Sequence, residues 1–147
     1  MNLVIACDHA GYDLKENVKK YLSEQGHSVI DCGTNSTESC DYPVFAKALC
    51  KEINDGNAQL GILICGTGIG MSMAANKVKG IRACCCSDPY SAKLTRMHNN
   101  ANVLCMGGRV VSAGLAEMMV DLFLETEFEG GRHQRRIDQI TAIENEQ

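Results

Sequence analysis

The chain has 147 residues, 45% hydrophobic and 22% charged, which suits one well-filled globular domain and is too short for two ordinary ones. Its net charge of −4 leaves no basic footprint for nucleic acid or an anionic membrane surface, and no apolar run approaches the length of a bilayer span. The opening "MNLVIACDHAG" lacks the charged start and long apolar core of a signal peptide, so the expectation is one cytoplasmic domain over residues 1–147.

That opening reads instead as a first strand, "LVIAC". A helix is expected from Asp13 to Gln25, with Leu14, Val18, Tyr21 and Leu22 on one face and Gly26 as its stop. "SVIDC" is the second strand. The second helix places Val44, Phe45, Ala48, Leu49 and Ile53 on one face and stops at Gly56. "LGILIC" is the third strand, followed by a helix from Ile69 to about Val78. After the fourth strand, "IRACCC", Pro89 suits the first turn of a helix capped by Ser87 or Asp88. "NVLCMG" is the fifth strand. Ser112 caps a fifth helix with Leu115, Met119, Leu122 and Phe123 on its apolar positions, and a last helix starts at Arg132.

Nearly continuous apolar strands alternating with helices predict a parallel sheet covered on both faces. The expected fold is a three-layer, Rossmann-like α/β/α sandwich, with five parallel strands in the flavodoxin-like order 2-1-3-4-5 and an extra C-terminal helix. Such sheets bind ligands outside the carboxyl ends of their strands, where the strand order reverses. In this order strands one and three flank that point, so Asp8, His9 and the run Cys65 to Gly70 face one crevice.

The stretch "CGTGIG", Cys65 to Gly70, is a near miss of the dinucleotide fingerprint, since Met71 stands where the final glycine is needed. No GK[ST] follows, which excludes a Walker A loop. Glycines 66, 68 and 70 let several N–H groups face one spot at a helix start, as an anion or oxyanion cradle requires. A tight turn that needs glycine only for its dihedrals is the alternative. Cys65 ends its strand just before that helix, where a dipole favours a thiolate able to act as base or nucleophile. The alternative is one more inert strand cysteine among nine. Thr67 offers a hydroxyl to the same cradle.

Asp8 and His9 form a candidate acid/base pair, although a strand-end Asp also serves as a cap. The fourth helix runs antiparallel to the strands, so His98 at its end falls towards the opposite edge of the sheet from Cys65. It is either a surface residue or part of a neighbour's site across a dimer interface. Arg132 and Arg136 are i, i+4 neighbours able to grip a phosphate or to form a solvated patch, and Arg109 offers a third guanidinium. With an odd number of cysteines, no CxxC and four scattered histidines, neither a disulfide framework nor a metal site is expected.

The motifs "CDHAGYDLK", "DYP", "ILICGTGIGMSMAANK", "GIRA", "YSA", "HNNANVLCMGGRVV" and "EGGRHQRRIDQI", in this order from about Asn2 to Glu144, resemble the ribose-5-phosphate isomerase B family. That family also holds the subunits of galactose-6-phosphate isomerase. The resemblance implies interconversion of ribose 5-phosphate and ribulose 5-phosphate in the pentose phosphate pathway, through a cis-enediolate and without metal or nucleotide cofactor. It implies Cys65 as base, the amides of Gly66, Thr67, Gly68, Ile69 and Gly70 as enediolate cradle, and His98 of the partner subunit with Thr67 in ring opening. It further implies sugar contacts from Asp8, His9 and Asn99, and phosphate contacts from Arg132, Arg136 and Arg109. The implied assembly is a homodimer with shared sites, with pairing into tetramers left open. A hexose 6-phosphate isomerase for allose or galactose phosphates, and a non-catalytic nucleotide or sugar-phosphate binding module, are the other readings.

Overall fold

The computed structural model describes all 147 residues. The strands are β1 (Asn2–Cys7), β2 (Ser28–Asp31), β3 (Leu60–Cys65), β4 (Ala83–Cys85) and β5 (Val103–Gly107). The helices are α1 (Tyr12–Glu24), α2 (Tyr42–Asn54), α3 (Ile69–Ala75), α4 (Pro89–Asn99), α5 (Ala113–Glu125) and α6 (Arg132–Asn145), with a 3₁₀ turn at His9–Gly11 before α1. No helix is long and apolar enough to cross a membrane.

Every strand pair is parallel and helices cover both faces, as the alternation of apolar strands and helices predicts. The order is β2-β1-β3-β5-β4, so one edge departs from the expected flavodoxin-like arrangement: β5, not β4, lies beside β3. The reason is in the two strands. All five residues of β5 are buried, whereas β4 has three residues, two half-buried and Cys85 exposed. An interior place needs bulky apolar residues on both faces, which Val103, Leu104 and Met106 of β5 supply and the short Ala83-Cys84-Cys85 run of β4 does not. The return from β4 to β5 by a right-handed crossover puts α4 on the face that holds α5, against which it packs.

The pleat divides the core. Leu3, Ile5, Ile62, Ile64, Leu104 and Met106 face α1 and α5, whose Leu14, Val18, Leu22, Met119 and Phe123 complete that layer. Val4, Ala6, Leu63, Cys65, Val103 and Cys105 face α2 and α3, against Ala46, Leu49, Cys50 and Met71. Full burial of each large aliphatic side chain contributes about 2 kcal/mol. The buried face of α2 is Ala46, Leu49 and Cys50 rather than one through Val44, which is 65% exposed.

Side chains set the helix ends. The Ala10 and Gly11 N–H groups donate to Asp8 Oδ1 at 3.0 and 3.1 Å, closing the 3₁₀ turn that leads into α1. Asp88, with Pro89 behind it, caps α4 by accepting from Ser91 N–H at 2.7 Å, and Ser112 Oγ caps α5 through Leu115 N–H at 3.3 Å. The α3 helix stops at Ala75, short of the expected Val78.

Candidate active site

Strands β1 and β3 pair side by side, and Asp8 N–H donates to the Ile64 carbonyl at 3.2 Å, so Asp8, His9 and Cys65 come to the same carboxyl edge of the sheet. The chain after Cys65 turns at once. Gly68 has φ +83°, and a Cβ there would lie 2.9 Å from the backbone of Met106, so this turn requires glycine twice over. At Gly70 an added Cβ would come within 2.7 Å of the Tyr42 ring, which packs against the first turn of α3.

The turn wraps the Cys65 sulfur. Gly68 N–H donates to Cys65 Sγ at 3.1 Å, and the Ile69 N–H donates to Thr67 Oγ1 at 3.2 Å. Two of the five expected cradle amides are therefore engaged within the turn. The N–H groups of Gly66, Thr67 and Gly70 have no acceptor in the chain. Donors of this kind at the edge of a strand can meet an oxyanion. Cys65 itself is 5% exposed, while Thr67 and Ile69 are exposed beside it.

Three further groups reach this edge. Arg109 N–H donates to the Gly66 carbonyl at 3.1 Å, and its Nη1 would stand 3.5 Å from a Cβ on Gly66. His9 Nδ1 accepts from Cys40 N–H at 3.2 Å, which ties the loop after β2 to the crevice. Cys85 is exposed, with Sγ 3.6 Å from the Thr67 carbonyl oxygen; burial and then the neighbouring Cys65 push its thiol up. Asp8 is 5% exposed, and its Oδ1 is committed to capping.

A second group lies at the other end of the sheet. The α4 helix ends at Asn99, where the chain turns into β5, and the Asn102 carbonyl accepts from Gly61 N–H at 2.9 Å. Gly61 is four residues before Cys65, about 13 Å along the strand. His98 and Asn99 therefore stand away from the Cys65 edge of their own chain. His98 stacks on His133 of α6, with ring centroids 4.3 Å apart and planes 9° from parallel. Arg132 and Arg136, exposed, flank His133 on the same helix, and no ion pair within the chain uses Arg109, Arg132 or Arg136. A cavity of about 520 Å³ beside this group is lined by Arg82, Asn99, Ile140 and Glu144 among others.

The expected residues thus fall into two clusters: Asp8, His9, Cys65 to Gly70 and Arg109 in one, and His98, Asn99, Arg132 and Arg136 in the other. His133 and Glu129 join the second without having been singled out from the sequence. The signal for His133 was its i, i+4 spacing to Ile137, which puts both on the buried face of α6.

The sequence profile of the ribose/galactose isomerase family matches residues 3–140. A ribose-5-phosphate isomerase B of Escherichia coli is 52% identical over 142 residues, covering 97% of this chain and 95% of that protein. Among solved structures, a ribose-5-phosphate isomerase B of Clostridium thermocellum aligns over 99% of both chains with a TM-score of 0.98 and 46% identity. That of Mycoplasma genitalium, with bound ribulose-5-phosphate, aligns over 99% of this chain and 97% of its own with a TM-score of 0.94 and 45% identity.

Proposed function

We propose that this chain, which belongs to the ribose/galactose isomerase family, interconverts D-ribose 5-phosphate and D-ribulose 5-phosphate with Cys65 as its base. It is an aldose–ketose isomerase, and pentose phosphate metabolism in the cytoplasm is the setting that this reading implies. The observation that carries the residue assignment is the Cys65 sulfur, held by Gly68 N–H among three unpaired amide donors.

Aldose–ketose isomerisation moves one hydrogen between neighbouring carbons as a proton, so it needs a base, a cradle for negative charge and a way to open the sugar ring. The Cys65 thiolate takes the proton from C2 of the open-chain aldose, and the C2–H electrons form the C1–C2 double bond while the carbonyl electrons move onto O1. The resulting cis-enediolate faces the N–H groups of Gly66, Thr67 and Gly70. Transfer of the O2 proton to O1, then return of the thiol proton to C1, yields the ketose and restores the thiolate. Thr67, with its exposed hydroxyl, assists the ring oxygen, and Asp8 and His9, together with Asn99 of a second copy of the chain, contact the sugar hydroxyls.

Ring opening is assigned to His98 of a second copy of the chain, with Arg132 and Arg136 of that copy on the phosphate and Arg109 beside Gly66 as a third ligand. Two observations support this homodimer with shared sites. The residues of the reaction lie in two clusters that one chain does not bring together, and the exposed apolar side chains Ile69 and Met73 stand on α3 next to Cys65. Turnover assays on purified protein with five- and six-carbon aldose phosphates test the substrate: ribose 5-phosphate is expected to be preferred. A kcat/KM higher for allose or galactose 6-phosphate would shift the assignment to the hexose branch of the family.

A further inference from the structure

Beside the proposed ring opener stand two titratable side chains that the reaction does not use. His133, 7% exposed, lies face to face with His98 at 4.3 Å. Its Nε2 is 3.3 Å from Glu129 Oε2. The backbone N–H of Glu129 donates to the Met97 carbonyl at 3.0 Å, one residue before His98. Gly130 and Gly131, at φ +69° and +58°, reverse the chain so that Glu129 and His133 both reach this point. Glu129 therefore grips the end of α4 through its backbone and the His133 ring through its carboxylate.

The ligand atoms of His98, Glu129 and His133 lie within 4.8 Å of one another, a set suited in type to a first-row metal. Rings stacked 9° from parallel aim their nitrogen lone pairs side by side rather than at one point. The cluster is built as a stack, not a chelate.

We propose that Glu129 and His133 are positioning residues that fix the ring plane of His98 for ring opening, in which His98 gives a proton to the furanose oxygen as the C1–O4 bond breaks, the O1–H electrons form the C1 carbonyl and the O1 proton passes to solvent, from which His98 is reprotonated. The inference rests on the reading of His98 as ring opener. An imidazole at the end of a helix has two free side-chain torsions, and a flat partner on one face confines it to rotation within a plane. His133 supplies the flat partner, and Glu129 stops His133 from turning. Displacement of a transfer group by about 1 Å is enough to cost roughly a hundredfold in rate.

The test separates ring opening from enediolate chemistry. Ribulose 5-phosphate has its carbonyl at C2 and its C5 oxygen on phosphate, so it has no furanose ring to open. Entry of solvent deuterium at its C1 reports the Cys65 step alone, whereas turnover of ribose 5-phosphate reports both steps. In the full-length protein, H133A is expected to lower kcat on ribose 5-phosphate about tenfold, with KM and the exchange rate within about twofold of wild type. H133F, which keeps a flat ring, is expected to recover most of that loss. E129Q, on a half-exposed residue that folding tolerates, is expected to give an intermediate loss of the same pattern.

Wild-type turnover in both H133A and E129Q would overturn the proposal, and so would equal loss in both assays, a change confined to KM, or an H133F no better than H133A. H98N keeps the two levels apart. If H98N itself turns over ribose 5-phosphate normally, the ring-opening assignment fails; if H98N is slow while H133A and E129Q are not, only the positioning role fails.

Discussion

Gly68 N–H points at the sulfur of Cys65, 3.1 Å away in a buried turn. This bond fixes the thiol at the end of β3 and leaves three neighbouring amides for oxygen atoms of a ligand. Eight other cysteines are in the chain, and burial pushes the thiols of Cys7, Cys50 and Cys105 away from reactivity, with Cys7 up to about 12 and Cys50 up to about 11. Replacing Cys65 by Ala is expected to lower kcat at least about a thousandfold, the scale of a lost proton-transfer group. Calorimetric binding of ribulose 5-phosphate is expected to stay within about threefold of wild type. A variant that still turns over at more than a tenth of the wild-type rate would remove Cys65 from the base role.

The same bond depends on the backbone of Gly68. At φ +83°, with Met106 backbone atoms 2.9 Å from any Cβ, Gly68→Ala forces the turn to move. The expected cost is about 2 kcal/mol in urea denaturation, with kcat falling at least about tenfold as the sulfur and the amides lose register. Unchanged kcat in a destabilised variant would mean that the turn matters for folding only.

Much of this arrangement was legible beforehand, because apolar runs and caps are local signals. Each strand and helix falls within a few residues of its expectation, and Asp88 and Ser112 cap as their positions suggest. Strand neighbours are not local. The exchange of β4 and β5 followed from which strand could be buried on both faces, a comparison between distant segments. Val44 misled because its spacing fits a helical face that the sheet does not contact. At the site, Cys65 and the glycines stood out through position and spacing, and His98 raised a geometric difficulty that the structure repeats. Lys15 gave no such signal: a lysine reads as a surface residue, and only the fold puts its ammonium, with its side chain fully buried, against Asp31.

That Lys15–Asp31 pair sets a pH dependence of stability. Lys15 Nζ donates to Asp31 Oδ2 at 2.8 Å and to the Thr34 carbonyl at 3.2 Å, and Lys19 Nζ adds a bond to Asp31 at 2.9 Å. Burial pushes the Asp31 carboxyl up, but the hydrogen bonds from Lys15 and Lys19 outweigh it and hold the group below its ordinary value of 3.8. Its contribution is complete above that value and is lost as pH falls through the folded-state value. For Lys15 burial acts downward, yet Asp31 and Glu16 raise the ammonium above 10.5, so its contribution is present below that pH and is lost as pH rises through the folded-state value. Asp31→Asn is expected to cost on the order of 2 kcal/mol at neutral pH, since it removes the carboxylate that Lys15 and Lys19 share and leaves the buried Lys15 with Glu16, at 2.8 Å, as its one charged partner. Urea titrations should show the gap from wild type closing below about pH 3.8. A gap independent of pH would contradict the ionic origin.

Arg132 and Arg136 lie on one exposed turn of α6, outside any ion pair of the chain. Replacing either by Ala is expected to raise KM for ribose 5-phosphate about tenfold and to weaken competitive inhibition by inorganic phosphate similarly, as loss of a charge-assisted bond does. The kcat is expected to stay within about threefold. An unchanged KM in both variants would return these arginines to a solvated patch.

The two clusters of site residues within one chain make subunit complementation the most direct measurement. Cys65→Ala and His98→Asn proteins are each expected to be nearly inactive on ribose 5-phosphate. Mixed in equal amounts and allowed to exchange subunits, half of the dimers are mixed, and each mixed dimer carries one site with both residues intact. Activity should then rise to about a quarter of wild type. No gain after exchange proven by mass spectrometry would contradict a site shared between Cys65 of one subunit and His98 of the other.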